Sequence, residues 1–306
     1  MTKGADGVWT LTTAPLSPDL YGYSFVVDGV GFVDPSNGKI KTNALSVNSA
    51  VLVPGEMTWE QSNVPHGAVH HHFYESKLIG DKRDYFVYTP PEYTPSKKYP
   101  LLVLLHGFSD YADGWTTVGK ANLIFDNLIA KKEIKPMVVV MPLGYGVPID
   151  MLYTGMQRGP GTPWQKNAEN FGKALLEEVL PMTEKAYSLS SDRKQHAITG
   201  LSMGGAEALL VGLNNLDKFA YVGAFSAGGG GSTPSETYPK LSESDNSRMK
   251  LWMACGTDDR LIENNRKLVE WLKSKNVKHT WVETPGAHTW LVWRRYLADF
   301  SKQLDW

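Results

Sequence analysis

Two spacings of apolar residues divide the chain. Up to about residue 62, apolar and polar side chains alternate, as in Val8-Trp9-Thr10-Leu11-Thr12 and Tyr21-Gly22-Tyr23-Ser24-Phe25-Val26-Val27. That is the period of a strand with one buried face. Asp28-Gly29, between Val27 and Val30, is a hairpin-turn signal, and Asp34-Pro35-Ser36-Asn37-Gly38 is a second turn. Nothing in this stretch has a helical period. After Val64-Pro65-His66-Gly67 the pattern changes. Residues 69–79 and 83–89 read as a pair of strands. Continuous apolar runs at 101–105, 137–141, 197–199, 221–226, 251–255 and 279–283 then alternate with amphipathic stretches at 120–131, 168–187, 203 onward, 261–275 and from about 291. Unbroken apolar strands alternating with helices predict a mostly parallel sheet covered on both faces, the α/β class. The expected division is a small β region over 1–62 and an α/β domain over 63–306. Gly228-Gly229-Gly230-Gly231-Ser232 reads as a mobile loop.

Composition changes this picture little. The 306 residues are 42% hydrophobic and 21% charged, with a formal net charge of −1, which gives no reason to expect nucleic acid or an anionic membrane as partner. No apolar run approaches the ~20 residues that span a bilayer, and Met1-Thr2-Lys3-Gly4 leads into no signal-peptide apolar core. The one cysteine, Cys255, lies in the apolar run after Leu251 and reads as a buried strand thiol. Ten Trp and fourteen Tyr are numerous for this length, and rings of this kind serve both cores and aryl- or sugar-binding surfaces.

The chemistry is concentrated in Gly200-Leu201-Ser202-Met203-Gly204, which follows an apolar strand and precedes a helix-forming run. A Gly-x-Ser-x-Gly in that context is a nucleophile elbow: the serine sits on a sharp turn, and a Cβ on either side would collide with the strand or helix. The alternative is a tight glycine-rich turn with a capping serine. A serine hydroxyl needs a base, and the base needs an orienting acid. In α/β-hydrolases these follow in the order Ser, acid, His. Gly256-Thr257-Asp258-Asp259 follows the strand at 251–255, and Pro285-Gly286-Ala287-His288 follows the strand at 279–283. Asp259 fits the acid by its spacing from the glycine, with Asp258 as fallback and a helix N-cap as its other reading. His288 is the base. Oxyanion donors are expected at the N–H of Met203 and, from His106-Gly107-Phe108 after the first apolar run, at Phe108. His106 itself reads as a residue that pins the loop. His70-His71-His72 lies in an alternating strand, so its rings point to opposite faces and cannot share one ion. No metal site and no cofactor are expected. Glu177 and Glu178 read as solvated helix residues.

At this point the chain resembles feruloyl esterases of carbohydrate esterase family 1, most closely those attached to bacterial xylanases. The resemblance rests on Tyr88-Thr89-Pro90-Pro91-Glu92-Tyr93, on Tyr99-Pro100-Leu101-Leu102-Val103-Leu104-Leu105-His106-Gly107, on 121–130 and 200–205, on Asn215-Leu216-Asp217-Lys218-Phe219-Ala220 and on Ala254-Cys255-Gly256-Thr257-Asp258-Asp259. It covers most of 64–306. It implies Ser202 as nucleophile, His288 as base and acid, Asp259 as orienting acid, and Phe108 and Met203 at the oxyanion positions. The implied substrate is ferulate or a related hydroxycinnamate esterified to arabinose on xylan, and the implied setting is extracellular. Related members cleave acetyl, siderophore or formylglutathione esters. The other class of reading is a noncatalytic carbohydrate-binding protein. Trp115, Tyr145, Tyr153, Trp164 and Trp290, with Met151, Leu152 and Met156, are the candidates for the walls of an aryl slot; the alternative for each is core packing. Residues 1–62 resemble the later strands of a family-48-type carbohydrate-binding module, an immunoglobulin-like sandwich, on Gly7-Val8-Trp9, Leu20-Tyr21-Gly22-Tyr23, Val27-Asp28-Gly29-Val30 and Asp34-Pro35. A half sandwich leaves an unpaired edge, so docking or self-association is expected of it.

Overall fold

A computed structural model describes residues 1–153, 163–228 and 233–306. The chain forms two compact units, one of residues 1–41 and 47–57, the other of residues 42–46 and 58–306.

The first unit holds short strands. β1 (Thr2–Lys3) pairs β2 (Trp9–Thr10), β3 (Asp19–Tyr23), β7 (Val47–Val53) and β6 (Ile40–Thr42) form a three-stranded sheet, and β4 (Phe25–Val27) pairs β5 (Val30–Phe32). The long strand expected over 21–27 is broken at Ser24, which stands between β3 and β4. The Asp28-Gly29 signal gives a tight hairpin: φ is 51° and 81° at the two positions, the left-handed pair that a type I′ turn needs. Apolar side chains of this unit, Phe25, Val26, Val27, Val30 and Phe32, stand exposed.

The second unit is built on an eight-stranded sheet. Its strands are β8 (Ala68–Ser76), β9 (Asp81–Thr89), β10 (Leu101–Leu105), β11 (Val138–Pro142), β12 (His196–Gly200), β13 (Tyr221–Phe225), β14 (Lys250–Gly256) and β15 (Thr280–Thr284), in the spatial order β15-β14-β13-β12-β10-β11-β9-β8. β9 is antiparallel to both β8 and β11, and the other neighbours are parallel. The longest helices are α2 (Ala121–Ala130), α4 (Pro163–Ala174), α6 (Met203–Asn214), α8 (Ile262–Ser274) and α9 (Trp290–Ser301); α1 (Gly114–Thr117), α3 (Asp150–Tyr153), α5 (Leu180–Ala186) and α7 (Pro234–Thr237) are short. This is the architecture that the alternation of runs predicts, and the runs at 101–105 and 138–142 are buried along their whole length, as a central parallel sheet requires. No helix among the described residues is long and apolar enough to cross a membrane.

The helix expected over 168–187 is two helices joined by a π-turn at Leu175–Val179. Glu178 on that turn accepts hydrogen bonds from the Ser76 hydroxyl and from the N–H groups of Lys77 and Leu78 at 2.6, 2.8 and 3.1 Å. It is therefore a clasp on the β8–β9 turn and not a solvated residue. α2 fastens the start of the unit: Asp126 accepts from Gly67 N–H and the Tyr88 hydroxyl, and the Asn127 amide donates to Thr58 O and Glu60 O.

Candidate active site

β12 delivers Ser202 to the carboxyl edge of the sheet. The serine takes φ 53° and ψ −113°, a left-handed, strained backbone that persists only where its surroundings enforce it. Those surroundings are tight. A Cβ on Gly204 would stand 2.4 Å from His106 O and 2.7 Å from Leu105 O, so only glycine lets α6 begin directly behind the serine. Ser202 N–H donates to Phe225 O, and its carbonyl accepts from Ala206 and Gly228 N–H, which ties the turn to the next strand and to α6.

The Ser202 hydroxyl is 2.9 Å from His288 Nε2. On the other side of the ring, Nδ1 donates to Asp259 Oδ2 at 2.8 Å, with Oδ1 at 3.0 Å. This tautomer leaves Nε2 as acceptor for the serine proton. Asp259 is 2% exposed. Burial by itself would raise its pKa, but hydrogen bonds from His288, the Leu261 N–H and Ser226 outweigh burial and hold the carboxyl below its ordinary range. Asp258, beside it, is exposed and pairs with Gly286 on the loop before His288. Thus the structure brings Ser202, His288 and Asp259 into one hydrogen-bonded chain and leaves Asp258 outside it.

Two supports of this chain carry no sequence motif. Ser226 is fully buried at the end of β13 and shares its hydroxyl between Asp259 and Trp293 Nε1, the latter at 3.0 Å. The Trp293 ring meets the His288 ring edge-on, with centroids 4.8 Å apart. Cys255 is buried against Asp259, and burial followed by that negative charge pushes its thiol up to about 12, far from thiolate chemistry.

Facing the serine is the loop after β10. A Cβ on Gly107 would lie 3.4 Å from Ser202 Cβ, so this loop and the elbow touch. Phe108 and Met203 belong to one apolar cluster with Ala112, Leu143, Tyr145, Phe86 and Ile149. Met203 opens α6, where the first N–H groups have no acceptor inside the helix. His106 is 1% exposed. Its Nε2 accepts from Gly144 N–H and its Nδ1 donates to Gly107 O, each at 2.8 Å. Burial pushes its pKa down to about 4, so the ring is a neutral pin between two loops.

The segment after β11 is clamped in the same way. The buried Arg83 guanidinium donates to the carbonyls of Leu143, Tyr145 and Val147. Asn167 Oδ1 accepts from Gly146 N–H, and its amide donates to Glu207 Oε1 at 3.2 Å. Glu207 is 2% exposed and its Oε2 has no hydrogen-bond partner among the described residues. Burial raises its pKa well above the carboxylate range, so it sits there as the neutral acid.

The candidate slot residues fare differently from the hydrogen-bonded trio. Trp115 and Tyr145 have no exposed surface. The Trp115 indole donates to Leu105 O and the Tyr145 hydroxyl donates to Asp110 O. Trp290 is 4% exposed and packs edge-on between Trp115 and Trp293. These three rings build the floor behind the site and cannot wall a slot; a sequence count of aromatic residues does not separate the two uses. Met156 and the side chains of Leu152, Tyr153 and Trp164 lie outside the described residues, as do Gly229–Gly231 of the glycine run. The three consecutive histidines part as their alternation requires: His70 reaches Thr89 and His72 reaches Tyr187, while His71 pairs with Asp84 at 2.7 Å.

Comparison with known proteins follows the same lines. The endo-1,4-beta-xylanase/feruloyl esterase of Xylanibacter ruminicola is 31% identical over 315 residues, covering 99% of this chain and 41% of that protein. The chain therefore spans about two fifths of that relative. An acetyl esterase of Caldicellulosiruptor saccharolyticus is 26% identical over 44% of this chain and 64% of its own length. Among solved structures, a ferulic acid esterase of carbohydrate esterase family 1 from Anaeromyces mucronatus, in complex with ferulic acid, superimposes with a TM-score of 0.69 at 26% identity, over 79% of this chain and 92% of that one. A family profile described as "Putative esterase" matches residues 76–304, and the chain belongs to that esterase family.

Proposed function

We propose that the protein is a serine carboxylic ester hydrolase that releases ferulate and related hydroxycinnamates from plant cell-wall polysaccharide, with Ser202, His288 and Asp259 as its catalytic triad. The observation that carries the chemistry is the continuous hydrogen-bonded chain from the Ser202 hydroxyl through both nitrogens of His288 to the ionised, buried Asp259. The substrate class rests on the xylanase/feruloyl esterase relative and on the ferulic acid esterase likeness.

Each group then has one task. Ser202 Oγ attacks the ester carbonyl carbon while His288 Nε2 takes the hydroxyl proton. Negative charge moves to the carbonyl oxygen, where the N–H groups of Met203 and Phe108 receive it. The C–O bond to the sugar alcohol breaks as His288 returns the proton to the leaving oxygen. An acyl-enzyme on Ser202 remains. Water enters, His288 takes one of its protons, and collapse of the second tetrahedral adduct frees the acid and the serine. Asp259 keeps the imidazole in the productive tautomer and balances the imidazolium at each transfer. No step calls for a metal or an organic cofactor.

We read residues 1–62 as an accessory β region whose exposed apolar strands self-associate or dock, and the protein as one that acts outside the cell, where the polymer is. Methyl ferulate, methyl p-coumarate and p-nitrophenyl acetate assayed side by side test the substrate class. Higher kcat/KM on the two hydroxycinnamates is expected. Turnover of the acetate alone would move the reading to an acetyl esterase.

A further inference from the structure

β9 runs antiparallel to β11, with Tyr85 opposite Pro142 and the Leu143 N–H donating to Asp84 O. The first half of β9 and the last half of β8 therefore project at the carboxyl end of the parallel strands, the end at which Ser202, Asp259 and His288 stand. On this hairpin one ring is conspicuous: Phe73 is 76% exposed. It is not isolated. Its ring lies 4.1 Å from His71, the His71 ring stacks on Phe86 at 4.0 Å, and Phe86 packs into the cluster that contains Phe108 and Met203. A ladder of rings thus runs from the two expected oxyanion residues to open solvent. Beside its outer end is an open cleft of about 410 Å³ lined by Phe73, Tyr74, Glu75, Lys82, Arg83 and Asp84.

The chemistry of that cleft is selective. Glu75, Lys82 and Asp84 put two carboxylates and one cation beside the Phe73 ring, whereas the Arg83 guanidinium is buried and held by the carbonyls of Leu143, Tyr145 and Val147, so the cleft does not favour an anion. It offers an apolar ring face, carboxylate oxygens as acceptors and a lysine ammonium as donor. A sugar ring has the complementary surface, a weakly polarised C–H face bordered by hydroxyls. A free hydroxycinnamate is anionic and flat and has no use for the two carboxylates.

We propose that Phe73, with Glu75, Lys82 and Asp84, forms a subsite for sugar rings of the polysaccharide that bears the ester, remote from the bond that is cut. This rests on the feruloyl-polysaccharide reading above. From β12 to β8 there are four inter-strand steps of about 4.8 Å, or roughly 19 Å across the sheet. A methyl ester or a single feruloylated arabinose held at Ser202 falls short of the hairpin, whereas a chain of several sugars reaches it.

The test is the full-length chain carrying Phe73→Ala, assayed on methyl ferulate, on feruloylated arabinose and on feruloylated arabinoxylan oligosaccharides of increasing length. The ring is solvent-exposed, so its removal leaves the core intact. For the two short esters, kcat/KM is expected within about twofold of wild type. For the long ones, KM is expected to rise about five- to tenfold with kcat retained, and Phe73→Trp is expected to restore it. Equal losses on short and long esters, or no loss on the long ones, would overturn the subsite. So would a change in sedimentation of Phe73→Ala, which would assign the ring to contact between copies. Should wild type leave all feruloyl esters intact, the function reading fails by itself, and the subsite is then judged by calorimetry with unesterified xylan oligosaccharides. Binding weakened at least fivefold by Phe73→Ala upholds it, and binding that is absent or unchanged overturns it.

Discussion

On one side of Ser202, the loops after β14 and β15 present side chains: Asp259 and His288, joined within hydrogen-bond distance of the hydroxyl. On the other side, the loops after β10 and β11 are held by polar side chains buried behind them, His106, Arg83, Asn167 and Glu207. In the proposed reaction the first side moves protons, and the second keeps two backbone N–H groups in place. The first tolerates partial exposure, since an imidazole must meet substrate; its side chain is 14% exposed. The four polar side chains of the second are buried, which suits the proposed oxyanion donors, since these must already be oriented when charge appears.

The largest effect that sharpens this contrast is expected from the acids of the first side. Asp259→Asn leaves the shape of the site but removes the charge that fixes the tautomer and balances imidazolium, and kcat should fall by about 10³–10⁴-fold. Asp258→Asn, outside the hydrogen-bonded chain, should change kcat by less than about threefold. Steady-state kinetics of the two variants ranks them, and a reversed ranking would move the orienting role to Asp258.

A smaller effect is expected from the second side. The Tyr145 hydroxyl holds Asp110 O, three residues beyond Gly107 and on the same turn as Phe108. Tyr145→Phe keeps the ring and the packing and removes that tie. A roughly tenfold drop in kcat with KM unchanged, and weaker binding of an aryl boronic acid that mimics the tetrahedral adduct, is the signature of displaced donors. A drop in melting temperature without any change in kcat would make Tyr145 a packing residue only.

The smallest effect is on stability against pH. The folded-state pKa of Glu207 lies above its unfolded value, so its neutral form contributes stability below about pH 4.5 that is lost as pH rises toward the folded pKa. His106 has the opposite sign: its folded pKa is lowered from 6.5 to about 4, so its contribution is present above about pH 6.5 and lost as pH falls through that window. Glu207→Gln, a neutral side chain of the same shape, should therefore raise the melting temperature at pH 8 by ~3 °C or more and change it little at pH 5. Calorimetry over pH 4.5–8.5 checks this: the alkaline decline should flatten, and the acid decline, to which His106 and His72 both contribute, should remain. A uniform shift at all pH values would contradict a buried neutral acid at this position.

The two sides also differ in how plainly the sequence announces them. Ser202, Asp259 and His288 stand just after the apolar runs at 197–199, 251–255 and 279–283, and glycines mark the turn and the loops, so their place at one edge of the sheet is legible from the order of runs and motifs, with the choice between Asp258 and Asp259 left to the structure. The sheet is legible for the same reason: a run such as Leu101–Leu105, apolar at every position, has only a buried parallel strand as its natural place. The clamp behind the loops after β10 and β11 is not, because the hydrogen bonds of Arg83 to the carbonyls after β11, and of Asn167 to Gly146 and Glu207, join residues 21 to 64 positions apart. Glu207 does leave one trace, as an acid on a helix face four residues from both Met203 and Val211, which are buried. Trp115, Tyr145 and Trp290 are invisible in another way, since a large ring suits a slot and a core equally and only burial distinguishes them. In the first unit, alternation correctly marks extended chain but says nothing of how short β2 and β4 are, or that both faces of a strand such as Phe25–Val27 stay exposed.

In the proposed reaction everything depends on Ser202 as the nucleophile of an ester hydrolase. The most direct test of that role is to incubate the full-length chain with an aryl phosphonate ester, follow the loss of methyl ferulate hydrolysis and map the adduct by mass spectrometry. One phosphonyl group per chain is expected on Ser202, forming in step with the loss of activity, with no adduct on Ser202→Ala, whose hydrolysis is lowered by at least about 10³-fold. Inactivation with the group on another residue, or a Ser202→Ala variant that keeps more than a hundredth of wild-type activity, would contradict it.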